Sequence, residues 1–265
     1  MERIKQRVMG VNIMQRSPLD LQILMGIPLT EFDNDRFALI EPSRLKDIGL
    51  PESCVILYYG QVLNKLIENN SLVEIHELKS VLTPTKIYRL DFDNKSVTVI
   101  SPLSCGAPLA AVIMEELIAL GCRKFVACGS AGSLNATLPH DSIVIPNAAV
   151  RDEGTSYHYL PPSRTLSTDP EVIKKLEAVL KVHGLVYRTG LNWTTDAPYR
   201  ETRQKIAKRK AEGCLTVEME FTALMAVARF RKVAFGEYLM VADDVSGEDW
   251  DSRSWGEDTP AKQKL

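Results

Sequence analysis

The 265-residue sequence has no uninterrupted apolar run of the ~20 residues that a membrane-spanning helix needs. Residues 1–14 mix charged side chains with single apolar ones and lack the continuous apolar core of a signal peptide. An excess of one charge is also missing, because 32 basic and 34 acidic side chains leave a net charge of −2. A general electrostatic attraction to nucleic acid or to an anionic membrane is therefore excluded. We predict a cytoplasmic protein without a nucleic-acid or membrane partner.

Cysteine and histidine are both scarce. The five cysteines are an odd number, stand in no metal-ligand spacing and have apolar or small neighbours, which suits reduced thiols in a cytoplasm. Of the four histidines, only His158 lies in a segment that we single out below. The sequence therefore predicts no bound metal and no cofactor.

What the sequence does contain is an alternation of strand-like and helix-like segments, in a chain that is 45% hydrophobic and 25% charged. The predicted strands are residues 54–59, 87–92, 96–100, 125–128, 142–145, 185–193 and 235–242. The predicted helices are residues 62–68, 108–120, 170–183, 201–212 and 221–230. This alternation predicts an α/β fold with a central twisted, mixed and largely parallel sheet flanked by helices. We expect a single domain over residues 1–265, with 1–35 as an amino-terminal arm and 245–265 as a polar tail.

Four segments follow predicted strands, where open α/β sheets place their ligands. They are residues 127–134, 150–159, 193–201 and 216–220. Each also has an interpretation without a ligand. The first could be a tight turn, the second a solvated loop, and in the third Asp196 could cap a helix. In the fourth, Glu218 and Glu220 lie near a predicted helix amino terminus, where carboxylates are electrostatically favoured.

Together these segments resemble the nucleoside phosphorylase and nucleosidase superfamily, which includes purine nucleoside phosphorylases, uridine phosphorylases and methylthioadenosine nucleosidases. The resemblance is carried by Gly-Ser-Ala-Gly at 129–132, Gly-Ala-Pro at 106–108, Val-Glu-Met-Glu at 217–220, and Asp243. The interval of 23 positions from Glu220 to Asp243 is one that family members share. The resemblance covers residues 37–243 and implies the single-domain fold of this superfamily.

The resemblance implies a role for three of these residues. Glu220 would accept hydrogen bonds from the ribose hydroxyls and stabilise an oxocarbenium-like sugar, with Met219 packing beneath the ring. Asp243 would be the general acid that protonates N7 of a departing purine. Because uridine phosphorylases do not rely on an aspartate at this position, Asp243 favours a purine as the base.

The resemblance implies inorganic phosphate as co-substrate, bound by Arg44, Ser130 and Gly129. The match is incomplete, because Ala127 stands where phosphorylases of the family place an arginine, and Ile40 where they place a glycine. Losing a guanidinium removes a charge-assisted contact worth roughly 1.5–3 kcal/mol. Nucleosidases of the superfamily also lack this arginine and use water, so hydrolysis is the principal alternative.

Four residues are expected to bind the base, namely Glu218, Tyr157, Asp196 and Tyr199. Pro198 occupies the position where the family often stacks a phenylalanine, so a tyrosine would supply the missing aromatic face. The resemblance also implies a homodimer, or a hexamer built as a trimer of dimers.

The sequence thus predicts a pentosyltransferase that converts a purine nucleoside and phosphate into free base and ribose 1-phosphate. The alternatives are a hydrolytic nucleosidase, a uridine phosphorylase and a non-catalytic nucleoside-binding module.

Overall fold

Ten strands form one mixed sheet in the computed structural model, which describes residues 26–80 and 83–253. The strands are β1 Ser53–Leu57, β2 Leu72–Leu78, β3 Thr85–Phe92, β4 Lys95–Ile100, β5 Lys124–Ser133, β6 Ile143–Asp152, β7 Thr165–Ser167, β8 Tyr187–Thr195, β9 Cys214–Glu218 and β10 Ala234–Asp244. Half of the strand pairings are parallel and half antiparallel. The predicted α/β fold with a mixed sheet is therefore confirmed, but the expectation that the sheet is largely parallel is wrong, because β2, β7 and β9 add antiparallel pairings.

Five of the strands close into a ring. β10 pairs with β5 on one side and with β6 on the other, and the ring continues from β6 through β8 and β9 back to β5. From β5 the sheet extends outward through β1, β4, β3 and β2. Closure leaves the ring strands without a free edge, so the strands that carry the predicted site residues are paired on both sides.

Five helices flank the sheet: α1 Gly60–Glu68, α2 Ala107–Ala119, α3 Pro170–Val182, α4 Arg203–Ala211 and α5 Phe221–Arg231. Each corresponds to a predicted helix. The largest difference is in α4, which begins two residues later than predicted because the Thr202 hydroxyl caps it by accepting a hydrogen bond from the Lys205 amide at 3.3 Å. No helix within the described residues is long and apolar enough to cross a membrane.

Helix α5 is buried on all sides over its first eight residues, 221–228, and packs against α2. A helix that is apolar all round belongs in a protein core rather than on its surface. Phe221 and Leu224 are fully buried within the largest hydrophobic cluster. The amino terminus of α5, where the predicted ribose ligand Glu220 lies, is therefore fixed by the core.

The structure corrects the sequence prediction at several strands. β2, β7 and β9 were not predicted, and the segment that we expected to enter α5 directly is first the strand β9. The interpretation of residues 129–132 as a tight turn is wrong, because their ladder with β10 continues from Gly129, opposite Leu239, to Gly132, opposite Asp243.

Parts of the predicted arm and tail lie outside the described residues, namely 1–25 and 254–265. The described part of the arm contains a short 3₁₀ turn at Pro28–Thr30. The described part of the tail folds back on β10, because Asp244 and Asp251 form a bridge. The single-domain boundary at 1–265 remains a prediction.

Candidate active site

Strand β9 brings two glutamates to the start of α5. Glu218, the last residue of β9, accepts hydrogen bonds at one carboxylate oxygen from Asn192 Nδ2 at 2.7 Å and Thr194 Oγ1 at 2.6 Å. Its other oxygen accepts from the backbone amides of Glu220 at 2.5 Å and Phe221 at 2.7 Å. Four donors therefore surround this buried carboxylate, and two of them are the otherwise unpaired amides of the first turn of α5.

Glu220 precedes α5 as its N-cap residue, and its side chain is directed to a different element. Its Oε1 accepts a hydrogen bond from the Gly106 amide at 2.5 Å, at the start of α2. Burial, followed by the nearby charge of Glu218, raises the pKa of Glu220 to about 8. Met219 lies between the two glutamates, half-buried, with its Sδ 4.0 Å from Cys105 Sγ. The predicted ribose site therefore joins the end of β9 to the start of α2.

Asp243 lies near the carboxyl end of β10, opposite Gly132 of β5. A Cβ atom added at Gly132 would lie 3.3 Å from Asp243 Oδ1, so the glycine leaves room beside this oxygen. The other oxygen, Oδ2, accepts a hydrogen bond from Trp250 Nε1 at 2.7 Å. Burial raises the pKa of Asp243, and the Trp250 hydrogen bond opposes that rise.

Gly132 connects the two predicted acidic positions, because it pairs with Val217 of β9 on one side and with Asp243 of β10 on the other. Glu218 follows Val217 directly, and Glu220 begins the helix that follows. The ribose and acid candidates therefore border the same glycine-containing stretch of β5.

A second acid, Glu201, lies close to Asp243 and was not singled out from the sequence. It is half-buried, and burial raises its pKa to about 7, followed by the charge of Asp243, while Lys205 acts in the opposite direction. The pKa values of both acids are thus raised towards neutral pH. A carboxyl group with such a pKa can exchange protons with a substrate.

Glu237 of β10 and Tyr58 were also missed. Glu237 is only 2% exposed, and its Oε2, like the Tyr58 hydroxyl, has no hydrogen-bond partner among the described residues. Both lie over Gly129, where an added Cβ would be 3.6 Å from Tyr58 Cδ2 and 4.0 Å from Glu237 Oε1. Burial raises the pKa of Glu237 well above its usual value, and the charges of Glu218 and Glu220 raise it further. One signal was available, since Glu237 is a charged residue within an otherwise apolar predicted strand.

The predicted phosphate ligands are not all brought together. Gly129 and Ser130 lie in β5, but Arg44 is exposed at the end of the turn Pro42–Arg44, where it donates to the Leu39 carbonyl at 3.2 Å. No contact between Arg44 and the β5 pair is found in the described part of the chain. Glu237 stands opposite Ala127 in the β5–β10 ladder, so a buried acid occupies the neighbourhood of the missing arginine.

The predicted base ligands are scattered. The Tyr157 hydroxyl donates to the Arg151 carbonyl at 3.2 Å, and the Arg151 guanidinium lies 4.1 Å from the centre of the Tyr157 ring. Asp196 accepts from the Gly154 amide at 2.7 Å, and its charge contributes to the raised pKa of Glu220, which places it near the ribose site. Tyr199 is 99% exposed and does not pack against the other candidates.

Over residues 26–80 and 83–253, no three histidine, cysteine, aspartate or glutamate side chains are grouped as a metal site. That the protein works without a cofactor stays a prediction.

Acidic groups with raised pKa values meet at the carboxyl ends of neighbouring strands in a mixed α/β sheet, an arrangement typical of the active sites of α/β enzymes. The Phosphorylase superfamily matches residues 53–264, and the chain belongs to this family. The family resemblance seen in the sequence is therefore confirmed.

Individual relatives agree with this assignment. Guanosine phosphorylase of Halorubrum lacusprofundi is 25% identical over 179 residues, which are 68% of this chain and 74% of the relative. Uridine phosphorylase of Escherichia coli is 25% identical over 154 residues, which are 53% of this chain and 60% of the relative. The solved structure of purine nucleoside phosphorylase from Toxoplasma gondii in complex with immucillin-H has the same fold, with a TM-score of 0.68 at 21% identity, over 84% of this chain and 88% of that one.

Proposed function

We propose that the protein cleaves the N-glycosidic bond of a purine nucleoside, with Glu220 binding the ribose hydroxyls and Asp243 protonating the base. The observation that carries the proposal is the position of Asp243, a half-buried acid with a raised pKa, opposite a glycine that also pairs with β9, the strand that leads to Glu220. An acid whose pKa is raised keeps its proton closer to neutral pH and can transfer it to a leaving group.

The other contacts assign the remaining roles. Glu218 already accepts four hydrogen bonds, so we propose that it positions Glu220 and α5 rather than contacting the base. In the reaction, the bond between C1′ and the base nitrogen breaks and its electron pair goes to the base. Asp243 gives its proton to N7, the oxygen nucleophile bonds to C1′, and the ionised form of Glu220 stabilises the positive charge that develops on the sugar.

We propose phosphate as the nucleophile, which gives ribose 1-phosphate. Two observations support this choice. The relatives described above are phosphorylases by name. In this chain Gly129 and Ser130 lie on β5 opposite Leu239 and Met240 of β10, the strand that carries Asp243. The Ser130 hydroxyl has no hydrogen-bond partner among the described residues, so it is available to an oxyanion.

Hydrolysis is a second candidate function, and a specific observation favours it. Glu237 is buried opposite Ala127, and no ion pair joins Glu218, Glu220 or Glu237 to a cation in the part of the chain that the structure describes. An anionic phosphate would gain no attraction from these carboxyl groups and would be repelled by any of them that is ionised, whereas a water molecule would not.

The test is incubation of the full chain with inosine, guanosine, adenosine and uridine, each with and without phosphate, followed by analysis of base and sugar products. We expect release of a purine base and formation of ribose 1-phosphate only when phosphate is present. The D243N variant should be slower by about 10²–10⁴-fold, the usual contribution of a general acid.

Each other outcome of this assay has a definite meaning. Free ribose at the same rate without phosphate establishes hydrolysis and rejects phosphorolysis. Cleavage of uridine alone rejects the purine assignment. The absence of cleavage with any nucleoside, with or without phosphate, would contradict the proposed function and favour a non-catalytic binding module. Sizing of the protein in solution would test the predicted dimer or hexamer.

A further inference from the structure

Residues 245–253, which we call the strap, follow β10 and turn back towards it. Asp244 and Asp251 exchange two backbone hydrogen bonds, at 2.8 and 2.9 Å. Arg253 pairs with the Asp244 carboxylate at 2.5 Å and donates to the Leu138 carbonyl at 3.1 Å. The strap is therefore attached to the end of the strand that carries Asp243.

Helix α4 holds the strap from the other side. Arg203, the first residue of α4, donates to the Glu248 carbonyl at 2.9 and 3.1 Å. Lys210, in the last turn of α4, donates to the Ser246 carbonyl at 2.8 Å. Hydrogen bonds therefore hold the strap at both ends. They fix the position of its central side chains next to the Asp243 carboxylate.

Trp250 is the strap residue that reaches Asp243. Its indole Nε1 donates to Asp243 Oδ2 at 2.7 Å, while the side chain is 60% exposed. An indole N–H can only donate, so Oδ2 must act as an acceptor while this contact persists. A proton carried by Asp243 is therefore favoured on Oδ1, the oxygen that does not already accept the indole N–H. Both oxygens lie beside Gly132.

We propose that Trp250 is a positioning residue, whose N–H holds the Asp243 proton on Oδ1 and whose exposed ring forms a wall of the base site. The inference rests on the proposed function. A base whose N7 receives the proton must approach Asp243 to about 2.6–3.2 Å. It therefore lies next to the indole that is bound to the same carboxylate, and Trp250 can provide the aromatic face that Pro198 does not.

Other charged groups surround Asp243 without selecting one of its oxygens. Glu201, Asp244 and Asp251 are the acidic neighbours, Arg253 is the nearby cation, and Lys205 acts on Glu201. None of them forms a hydrogen bond with the Asp243 side chain within the described ranges. The position of the proton is therefore set by Trp250, and the neighbours affect only how readily Asp243 ionises.

Two substitutions distinguish the role of the indole N–H of Trp250 from the role of its aromatic ring. W250F keeps an aromatic face and removes the donor, so kcat should fall about 10- to 100-fold, as for one lost hydrogen bond to a charged group, with KM near that of the wild type. Because the N–H lowers the pKa of Asp243, the high-pH limb of activity should move to higher pH in W250F. W250A removes the ring as well, so KM for the nucleoside should also rise.

The matched control is F92L, a change at another exposed aromatic residue, at the end of β3 on the outer part of the sheet. It should leave kcat, KM and the pH profile unchanged, and thermal unfolding should show that all three variants are folded. A W250F enzyme with wild-type kcat and an unmoved high-pH limb would overturn the positioning role. A W250A enzyme with wild-type KM would overturn the base-site wall.

One measurement does not depend on turnover. The Asp243 carboxyl carbon can be titrated by ¹³C NMR in the free wild-type and W250F proteins, and its pKa should be higher in W250F. An unchanged pKa would reject the inference even if the enzyme cleaves nucleosides. A raised pKa together with no cleavage of any nucleoside would reject the proposed function and keep the Trp250 contact.

Discussion

Three buried glutamates at the start of α5 and in β10 have different surroundings. Glu218 accepts four hydrogen bonds, Glu220 is held by the Gly106 amide, and Glu237 has an oxygen without any partner among the described residues. A buried carboxylate without donors is costly, and its neutral form is favoured. We therefore expect Glu237 to carry a proton at neutral pH. Burial also raises the pKa of Glu218, but its hydrogen-bond donors oppose that rise, and Glu237 Oε2 has no such donor.

The E237Q substitution tests this expectation through stability. The pKa of Glu237 in the folded protein lies well above its value in the unfolded chain, so the folded state holds this proton more tightly. Its contribution to stability is therefore complete below the unfolded pKa and is lost as the pH rises towards the folded pKa. Glutamine keeps the shape without this loss. We expect E237Q to be more stable than the wild type at pH 8 by about 1–3 kcal/mol in urea denaturation.

E68Q is the matched control, because Glu68 is exposed at the end of α1. Its free energy of unfolding should follow that of the wild type at both pH 5 and pH 8. If wild type and E237Q lose the same stability between these pH values, Glu237 is not the protonated group.

At the scale of elements, the start of α2 is coupled to the ribose site through Gly106. This residue has a φ of +121°, which L side chains rarely adopt, and its amide holds Glu220. A Cβ at Gly106 would meet no atom within 4 Å, so the effect of a substitution comes from the backbone and not from a clash.

G106A should therefore alter binding as well as stability. The strained φ should cost about 1–3 kcal/mol or shift the backbone, and a shifted amide releases Glu220, so KM for the nucleoside should rise. The control is G184A, where φ is +65° and the space is also open, but the residue follows α3, outside the site. We expect G184A to lower the melting temperature without changing KM. Equal KM values in the two variants would contradict the coupling.

The elements differ in how far the sequence predicted them. Apolar residues at helical spacing identified α2, α3 and α5, which bury apolar residues. α1 and α4 were also predicted, although α1 has no buried residue and the buried residue of α4 is Arg209. β2 was missed because its buried positions do not alternate, and β9 because it is short and leads into α5. The family motif singled out Glu220 and Asp243, and the structure shows that β9, which leads to Glu220, and β10, which carries Asp243, both pair with Gly132. The contact of Trp250 depends instead on how the strap turns back. Nothing in the local sequence encodes that contact.

For the whole molecule, the closed ring of β5, β9, β8, β6 and β10 has no free edge, while β2 ends the open side of the sheet. Backbone amides that are paired on both sides within a core open only in large unfolding events. We expect hydrogen exchange, followed by mass spectrometry, to show the slowest exchange in β10 and β5 and fast exchange in β2. Exchange in β10 as fast as in β2 would show that the ring is not closed in solution.

The position of the acidic residues at the head of the core helix has a consequence for the evolution of this enzyme. Helix α5 begins at Phe221, directly after Glu220, and the carboxyl groups of Glu220 and Glu237 are buried at a cost where the chain forms its core. Natural enzymes commonly retain such destabilising groups because activity needs them. We therefore expect a laboratory selection for thermal stability alone to replace these acids early. The selected variants would be more stable proteins that no longer bind their substrate.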